Sequence, residues 1–581
     1  MSNWMIPPAF IMLGGAVLLP FLPKKLRSIV FLLVTFTTLV SVFMLPVETG
    51  PDAPVLTANV MNYTLVLCKA DKLSKVFGII FAFIAFAGGF YSFHIKETGQ
   101  QVAALLYAGG ALGVTFAGDF FTLFMYWEMM AVASTYLIWA RRTKESQTAG
   151  IRYLLYHVLG GGLLFMGILL HVTKPGASLL ITQMKPEMGL AAWLMLLGVV
   201  INAAVPPLHT WLADAYPKAT VTGAVFLSAF TTKTAVYVLA RVFPGWDVLL
   251  IAGVIMTLYG VIFAVLANDI RGILAYHIIS QVGYMVAGVG IGTEMAINGA
   301  TAHAFSHILY KALLFMGTGT VLYTTGKSKL TKLGGLWKSQ PWVGGLYLVA
   351  GFSISGLPLF NGFISKSMTV AAAGEAHHDW ALLLMTLAAV GTWLSVGLKL
   401  PYFTWFSKEK PADLEVKKPP LNMYIGMGLV AFFCIFHGVY PAHLYQWLPF
   451  DVHWSPFTMH HFVETVQILV FTFVAFWIFR FKLLKPKPYI ALDLDWFYRR
   501  PARVFQKIVV DPWNKSFDWF EEKTIAFARK LTGLSKNPYL PFAKDKSDKV
   551  YTPDRYRPPA QKIVMAVLAL FILVIFLGLF L

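Results

Sequence analysis

The sequence predicts a polytopic all-α membrane protein, and three observations carry that prediction. Of 581 residues, 57% are hydrophobic and only 13% are charged, whereas a soluble domain is about a quarter charged. Apolar runs of ~20 residues, enough to cross ~30 Å of hydrocarbon as helix, recur along almost the whole chain. These runs are continuous rather than alternating, which argues against a β-barrel. With no water in the bilayer core, the backbone must then satisfy itself within helices.

Hydropathy places the centres of about sixteen such spans. They lie near Leu13, Thr38, Ile84, Leu112, Met130, Leu163, Gly198, Phe230, Tyr259, Gly283, Leu313, Ser353, Thr392, Leu429, Ala475 and Ile572. The first run, about Ile6 to Phe21, has no basic leader and no small-residue cleavage site, so it reads as a retained span. Loop charge gives the orientation. Lys24, Lys25, Arg27, then Arg141, Arg142, Lys144, then Arg271, then Lys327, Lys329, Lys332, Lys338, then Lys408, Lys410, Lys417, Lys418 all fall in odd-numbered loops. Lys69, Lys72, Lys174 and Lys185 are the main exceptions. The positive-inside rule puts the odd loops in the cytoplasm and both termini outside. The expected location is a bacterial or archaeal inner (cytoplasmic) membrane.

Composition narrows the chemistry. The net charge of +19 is the basic loops of a membrane protein, not a nucleic-acid footprint. The cysteines, Cys68 and Cys434, are far apart and form no CxxC. The chain therefore has no iron–sulfur ligand set of its own and no structural metal motif. It contains neither a strand-linked GxGxxG nor a P-loop. No cofactor and no metal is expected.

Two spans are interrupted. One holds Pro206 and Pro207 in VINAAVPPLHTWL; the other holds Gly356 and Pro358 in SISGLPLFNGFISK. Proline removes a backbone donor and clashes with the preceding turn. A broken helix in each half of a transporter points to an inverted repeat with the ion path at the breaks; a kink without function is the plainer reading of a single proline.

Ionisable residues sit inside the spans. Glu128 lies in FFTLFMYWEMMAVASTYLIW, where an ionised carboxylate costs roughly 3 kcal/mol or more unless paired, hydrated or protonated. Lys233 lies in FLSAFTTKTAVYVLARV and Lys366 just after the second break. Lys399 is close enough to its span end to snorkel. In ATAHAFSHILYKALLFMGTGTV, His303, His307 and Lys311 follow one another at intervals of four, forming one stripe on a helix. Two imidazoles and an amine on one face make a proton wire when burial tunes the amine. Ligation of haem by the paired histidines competes, although both would face their haems from one helix. His277 in LAYHIISQVGYM either extends the polar axis or is a satisfied core histidine.

At these stretches the sequence resembles the antiporter-like subunits of respiratory complex I, membrane-bound hydrogenases and Mrp-type Na+/H+ antiporters. The matching segments are YWEMMAVASTYL, PPLHTWLADAYPKA, NDIRGILAYHIISQVGYM, HAFSHILYKALLF and GLPLFNGFISK, within about Gly118 to Ser367. The resemblance implies a core of about fourteen helices with two inverted five-helix repeats and broken helices seven and twelve. It adds extra C-terminal spans and an amphipathic lateral segment. Carried over, Glu128 matches the helix-five glutamate, Lys233 the helix-eight lysine of some members, and His303, His307 and Lys311 the central helix-eleven group. Lys366 matches the exit-side charge of helix twelve. One position departs: the family's helix-seven lysine falls at Asn202, which cannot carry a proton. Lys233 or His157 then substitutes as partner of Glu128, or the first half-channel is degenerate.

The domain organisation follows: N-terminal spans 1–100, a first repeat 101–243, a second 244–407, C-terminal spans 408–484, a basic amphipathic lateral segment 485–562, and a last span 563–581. In the lateral segment Phe505, Trp513, Phe517, Trp519, Phe520 and Phe527 alternate with charges at near-helical spacing, as on a helix lying on a membrane or along a neighbouring protein; a lipid-anchored basic linker is the alternative. Pro512 is expected to bend or split it. The implied partners are other membrane subunits of a complex I-, hydrogenase- or Mrp-like assembly, lipids, and protons or Na+; no nucleic acid is expected. The expected function is ion translocation within a multisubunit complex, with no redox centre in this chain. A self-sufficient secondary antiporter and a non-conducting scaffold are the alternatives.

Overall fold

The structure is a computed structural model, and its described residues are 6–47, 56–408, 411, 414–488, 491–536 and 559–580. Lys410 and residues 537–558 of the basic segment lie outside them. Twelve helices among the described residues are long and apolar enough to cross a membrane, with three shorter apolar helices beside them. Each predicted span centre falls inside one of these elements or inside the helix Thr98–Phe116.

The chain divides into two compact units, 1–493 and 494–581. The first begins with α1 (Pro8–Leu18) and α2 (Lys24–Met44), followed by a hairpin of β1 (Leu56–Val60) and β2 (Tyr63–Cys68). Next come α3 (Lys72–Tyr91), α4 (Thr98–Phe116), α5 (Phe120–Trp139) and α6 (Lys144–Val172). The interrupted stretch consists of α7 (Leu190–Asn202) and α8 (Thr210–Ala215), and α9 (Gly223–Ala229) and α10 (Thr231–Val242) complete the next crossing. The second half runs α11 (Asp247–Leu266), α12 (Ile270–Ile291), α13 (Glu294–Thr325), α14 (Pro341–Ser355), α15 (Asn361–Glu375) and α16 (Asp379–Thr392). After π-helical turns over Trp393–Lys399 and Tyr402–Phe406 come α17 (Leu421–Val439), the short α18 (Ala442–Tyr445) and α19 (Met459–Phe479).

Side-chain caps fix several helix starts. Asp119 accepts from the backbone of Thr122 and from Val66 at the head of α5, and Asp269 accepts from Arg271 and Gly272 at the head of α12. Each satisfies backbone donors that a helix start leaves unpaired. Asp71 caps α3 in a reciprocal box with Ser74 and pairs with Arg241 of α10 at 2.6 Å. Helices close on glycine where small residues permit it. A Cβ on Gly253 of α11 would lie 2.3 Å from the backbone of Ala287 on α12, so only glycine allows this approach.

Both predicted breaks are present, and both are satisfied from beyond the break. Trp211 Nε1 donates to the carbonyl of Ile201, 3.0 Å away, at the end of α7. Lys366 Nζ donates to the carbonyl of Ile354, 2.9 Å away, at the end of α14. Pro206 and Pro207 lie between α7 and α8, and Pro358 between α14 and α15. A broken helix in lipid is tolerated when neighbours re-satisfy its freed carbonyls in this way.

Two sequence expectations change. Arg271, counted above among the loop cations, is fully buried. Its guanidinium donates to the carbonyls of Tyr216, Ala219 and Thr220, because the turn after α8 leaves acceptors that a fork of N–H groups fits. Lys399 does not snorkel. It is buried, and its ammonium caps the carbonyls of Val265 and Ala267 at the end of α11.

The second unit contains α20 (Asp495–Phe505), a π-helical turn over Gln506–Val510, α21 (Asp511–Lys536) and α22 (Ala560–Phe580). The irregularity expected at Pro512 appears as this π turn immediately before it. Trp513, Phe517, Phe520 and Phe527 are exposed on α21, as are the polar residues around them.

Candidate functional site

The densest buried polar cluster forms around α13. His303, His307 and Lys311 have no exposed surface. They lie on successive turns of one face, with the two imidazole rings 6.3 Å apart. His303 Nδ1 is 3.2 Å from Ser365 Oγ on α15, and its Nε2 is 3.5 Å from the Tyr310 hydroxyl. Tyr310 in turn donates to Gln281 Oε1 on α12. Neither nitrogen of His307, nor Lys311 Nζ, has a hydrogen-bond partner among the described residues. Buried polar groups are ordinarily paired, so these three atoms mark a place where the chain leaves donors and acceptors for something other than itself.

Two branches lead from the cluster. His277 of α12 bonds Ser395 Oγ at 2.6 Å, in the π-helical turn after α16. Lys366 of α15 lies 5.2 Å from the ring centre of Tyr284, and the same ring is 5.7 Å from His303. Tyr284 therefore stands between the central histidine and Lys366, while Ser365, the neighbour of Lys366, bonds that histidine directly. Lys233 joins from α10, which packs on α13; its ammonium donates to the Ser228 carbonyl and to Thr232. Among the described residues, Lys233, Lys311, Lys366 and Lys399 form no ion pair with a carboxylate, so the lysine–carboxylate couple expected for Lys233 is not present as a direct contact.

Glu128 belongs to a second, sparser cluster. It is half-buried, and its Oε1 has no hydrogen-bond partner among the described residues. It rests against Gly161 of α6, where a Cβ would lie 1.7 Å from that oxygen. The adjacent Gly160 borders Asn202 Oδ1, which is also without a partner among the described residues. Glu128 and Asn202 thus approach the same pair of α6 glycines. His157, one turn before Gly161, stacks on Tyr153 and packs edge-on against Trp211. Its Nδ1 bonds the Tyr153 carbonyl, and its Nε2 has no partner among the described residues. Lys399 lies in the same π-helical turn as Ser395, with its ammonium at the end of α11.

Sequence reasoning missed Gln281, Tyr284, Tyr310, Ser365 and Ser395. Spacing carried part of the signal: Gln281 and Tyr284 follow His277 by four and seven residues, and Tyr310 follows His303 by seven, each on a shared helix face. Ser365 and Ser395 carried none. Among the described residues there is no group of three or more metal-ligating side chains.

Asp493, just after the last crossing of the first unit, reaches the first break. It accepts from the hydroxyls of Tyr259 and Tyr276 and lies 3.2 Å from His209 Nε2. Burial pushes this carboxyl up, but His209 and the two tyrosines outweigh that effect and hold it at about 2.

Comparison with known proteins adds a family to this geometry. The family model described as "NADH:quinone oxidoreductase/Mrp antiporter, TM" matches residues 117–392, which contain both clusters. An uncharacterized protein of Methanocaldococcus jannaschii is 31% identical over 347 residues, covering 56% of this chain and 72% of that protein. One of the Na(+)/H(+) antiporter subunits of Alkalihalophilus pseudofirmus is 30% identical over 393 residues, covering 63% of this chain and 76% of the relative. A chain of the membrane-bound sulfane sulfur reductase, an archaeal respiratory membrane complex, shares the fold with a TM-score of 0.71 at 23% identity, over 98% of this chain and 99% of that one.

Proposed function

Because the chain belongs to the NADH:quinone oxidoreductase/Mrp antiporter transmembrane family, we propose that it is the proton- or Na+/H+-translocating subunit of a multisubunit membrane complex. The observation that carries this reading is the stripe of His303, His307 and Lys311, fully buried in one helix, with His307 and Lys311 left without hydrogen-bond partners among the described residues. An ammonium at that depth costs several kcal/mol (roughly 3), and a purely structural core would replace it with an apolar side chain at no loss.

Protons pass along the α13 stripe, through His303 and Tyr284 or Ser365, to Lys366. Each group hands over charge by Coulombic influence on the next, since a cation arriving beside a lysine favours release of the lysine's own proton. His277 is a side branch ending at Ser395.

Two inverted five-crossing repeats give the path its two halves: α4 to α10, and α11 to α16. Supporting this division, Asp119 and Asp269 cap the second helix of each half, and each half has one broken crossing. Both termini lie outside an inner (cytoplasmic) membrane by the loop-charge bias. Driving force comes from partner subunits in an assembly of the complex I, hydrogenase or Mrp kind, and lipids surround the exposed faces.

A second reading, a non-conducting scaffold subunit, is favoured by Asn202, which cannot carry a proton. The test is reconstitution of the full chain with its co-purifying subunits, following internal pH and Na+ under a driving gradient. Loss of flux in Lys311→Ala and Glu128→Gln is expected. Unchanged flux in both sinks the translocation reading, and loss in Lys311→Ala alone leaves the first half inactive. The same assay on the isolated chain tells a subunit from a self-sufficient antiporter.

A further inference from the structure

The proposed path needs a way out after Lys366, and the structure places one on a helix beyond the stretch matched by the family model. A cavity of about 190 Å³, lined by residues of α15, α16 and α19, has Lys366 and Ser367 on one wall and His460, His461, Glu464 and Thr465 on another. We propose that this cleft is a hydrated outlet in which His460, His461 and Glu464 take up the proton that leaves Lys366. The proposal rests on the translocation reading above.

Three observations support it. First, titratable side chains from two helices line this cavity, in a region that lipid and packing would otherwise make apolar. The residues contributed by α16, namely Leu382, Met385, Thr386 and Ala389, carry no titratable group. The charge-bearing residues are therefore Lys366 from α15 and the His460–His461–Glu464 group from α19. A space of this size holds several water molecules when polar partners surround it.

Second, Lys366 faces two ways. Its ammonium bonds the Ile354 carbonyl and lies over Tyr284, which touches His303, while its side chain also lines the cleft. It is buried, so the cleft is its route to the surface.

Third, the residues on α19 suit the task. His460 and Glu464 are four apart on one face, the two histidine rings are 5.7 Å apart, and His461 is held at the helix start, where its backbone donates to Thr458. Imidazole takes up and releases protons near neutral pH, and the carboxylate supplies a negative charge one turn from His460. On the loop-charge orientation, the Thr458 end of α19 is the outer end, which makes the cleft an outlet.

The experiment uses the full-length chain in cells and in membrane vesicles prepared from them. It measures flux and the labelling of a Thr465→Cys variant by a membrane-impermeant cationic thiol reagent. His460→Ala/His461→Ala and Glu464→Gln are each expected to cut flux roughly tenfold or more. The reagent added from outside is expected to label Thr465→Cys and stop its flux, leaving the parent chain unaffected because Cys68 and Cys434 are buried. Absence of labelling from outside overturns the outlet whatever the flux. So does labelling that leaves flux intact, or wild-type flux in both sets of α19 variants while Lys311→Ala is inactive. Insensitivity of flux to Lys311→Ala instead counts against the translocation reading itself.

Discussion

The carboxylate of Glu128 lies against Gly161, so close that a Cβ there would fall 1.7 Å from its Oε1. The atom in the way is the far end of a flexible side chain, not backbone. Gly161→Ala is therefore expected to move the carboxylate and leave the helix standing. Alanine is favoured over glycine in a helix interior by about 0.5–1 kcal/mol, so the melting temperature of the purified complex should hold or rise while flux falls toward that of Glu128→Gln. A folded complex with full flux would show that the position of Glu128 is immaterial.

Asn202 borders the same glycine pair, beside Gly160. A lysine at 202 would supply the charge that the family pattern places there. Asn202→Lys is expected to raise flux, with the gain abolished by a second Glu128→Gln change. A gain that survives the second change would mean the new lysine acts without Glu128. His157→Ala in the parent chain tests whether that imidazole, one turn from Gly161, serves as partner; a drop in flux is expected.

Asp493 ties the segment after α19 to His209 at the first break and to Tyr259 and Tyr276. Its carboxyl is held at about 2, below its ordinary 3.8. A depressed carboxyl stabilises its contact fully above the ordinary value and loses that contribution as pH falls through the folded value. Amide exchange around Asp493 should therefore stay slow near neutrality and accelerate as pH drops from about 4 toward 2, after correction for intrinsic rates. Asp493→Asn should exchange fast at every pH. Identical profiles for the two chains would rule out the tie.

Asp71 does two jobs at the start of α3. It caps the helix and pairs with Arg241 of α10. Burial raises its carboxyl, but Arg241 and Ser74 outweigh that and leave it below the ordinary value. Asp71→Ala is expected to lower stability by about 1–2 kcal/mol from the lost cap, read as a lower melting temperature in detergent. Asp71→Asn keeps a capping side chain and should recover part of the loss. An unshifted melting temperature for the alanine variant would mean the cap contributes nothing.

The sequence by itself determined what depends on one stretch of chain. The length of each apolar run set the helices, Pro206, Pro207 and Pro358 set the two breaks, and the spacing of His303, His307 and Lys311 put three ionisable groups on one face. These are properties of a single helix in lipid, where backbone pairing leaves little alternative.

The tertiary structure decided which faces meet. That Ser365 bonds His303, that Tyr284 bridges His303 and Lys366, that Glu128 approaches glycines of α6, and that α19 shares a cavity with α15 all follow from the choice of neighbours. Spans of similar composition carry little information about that choice, because lipid solvates apolar faces as well as protein does, and association rests on close packing and local polar contacts. The same reason explains Arg271 and Lys399. Along the chain they were a loop cation and a snorkelling lysine; in the fold each is buried against carbonyls that distant turns leave open.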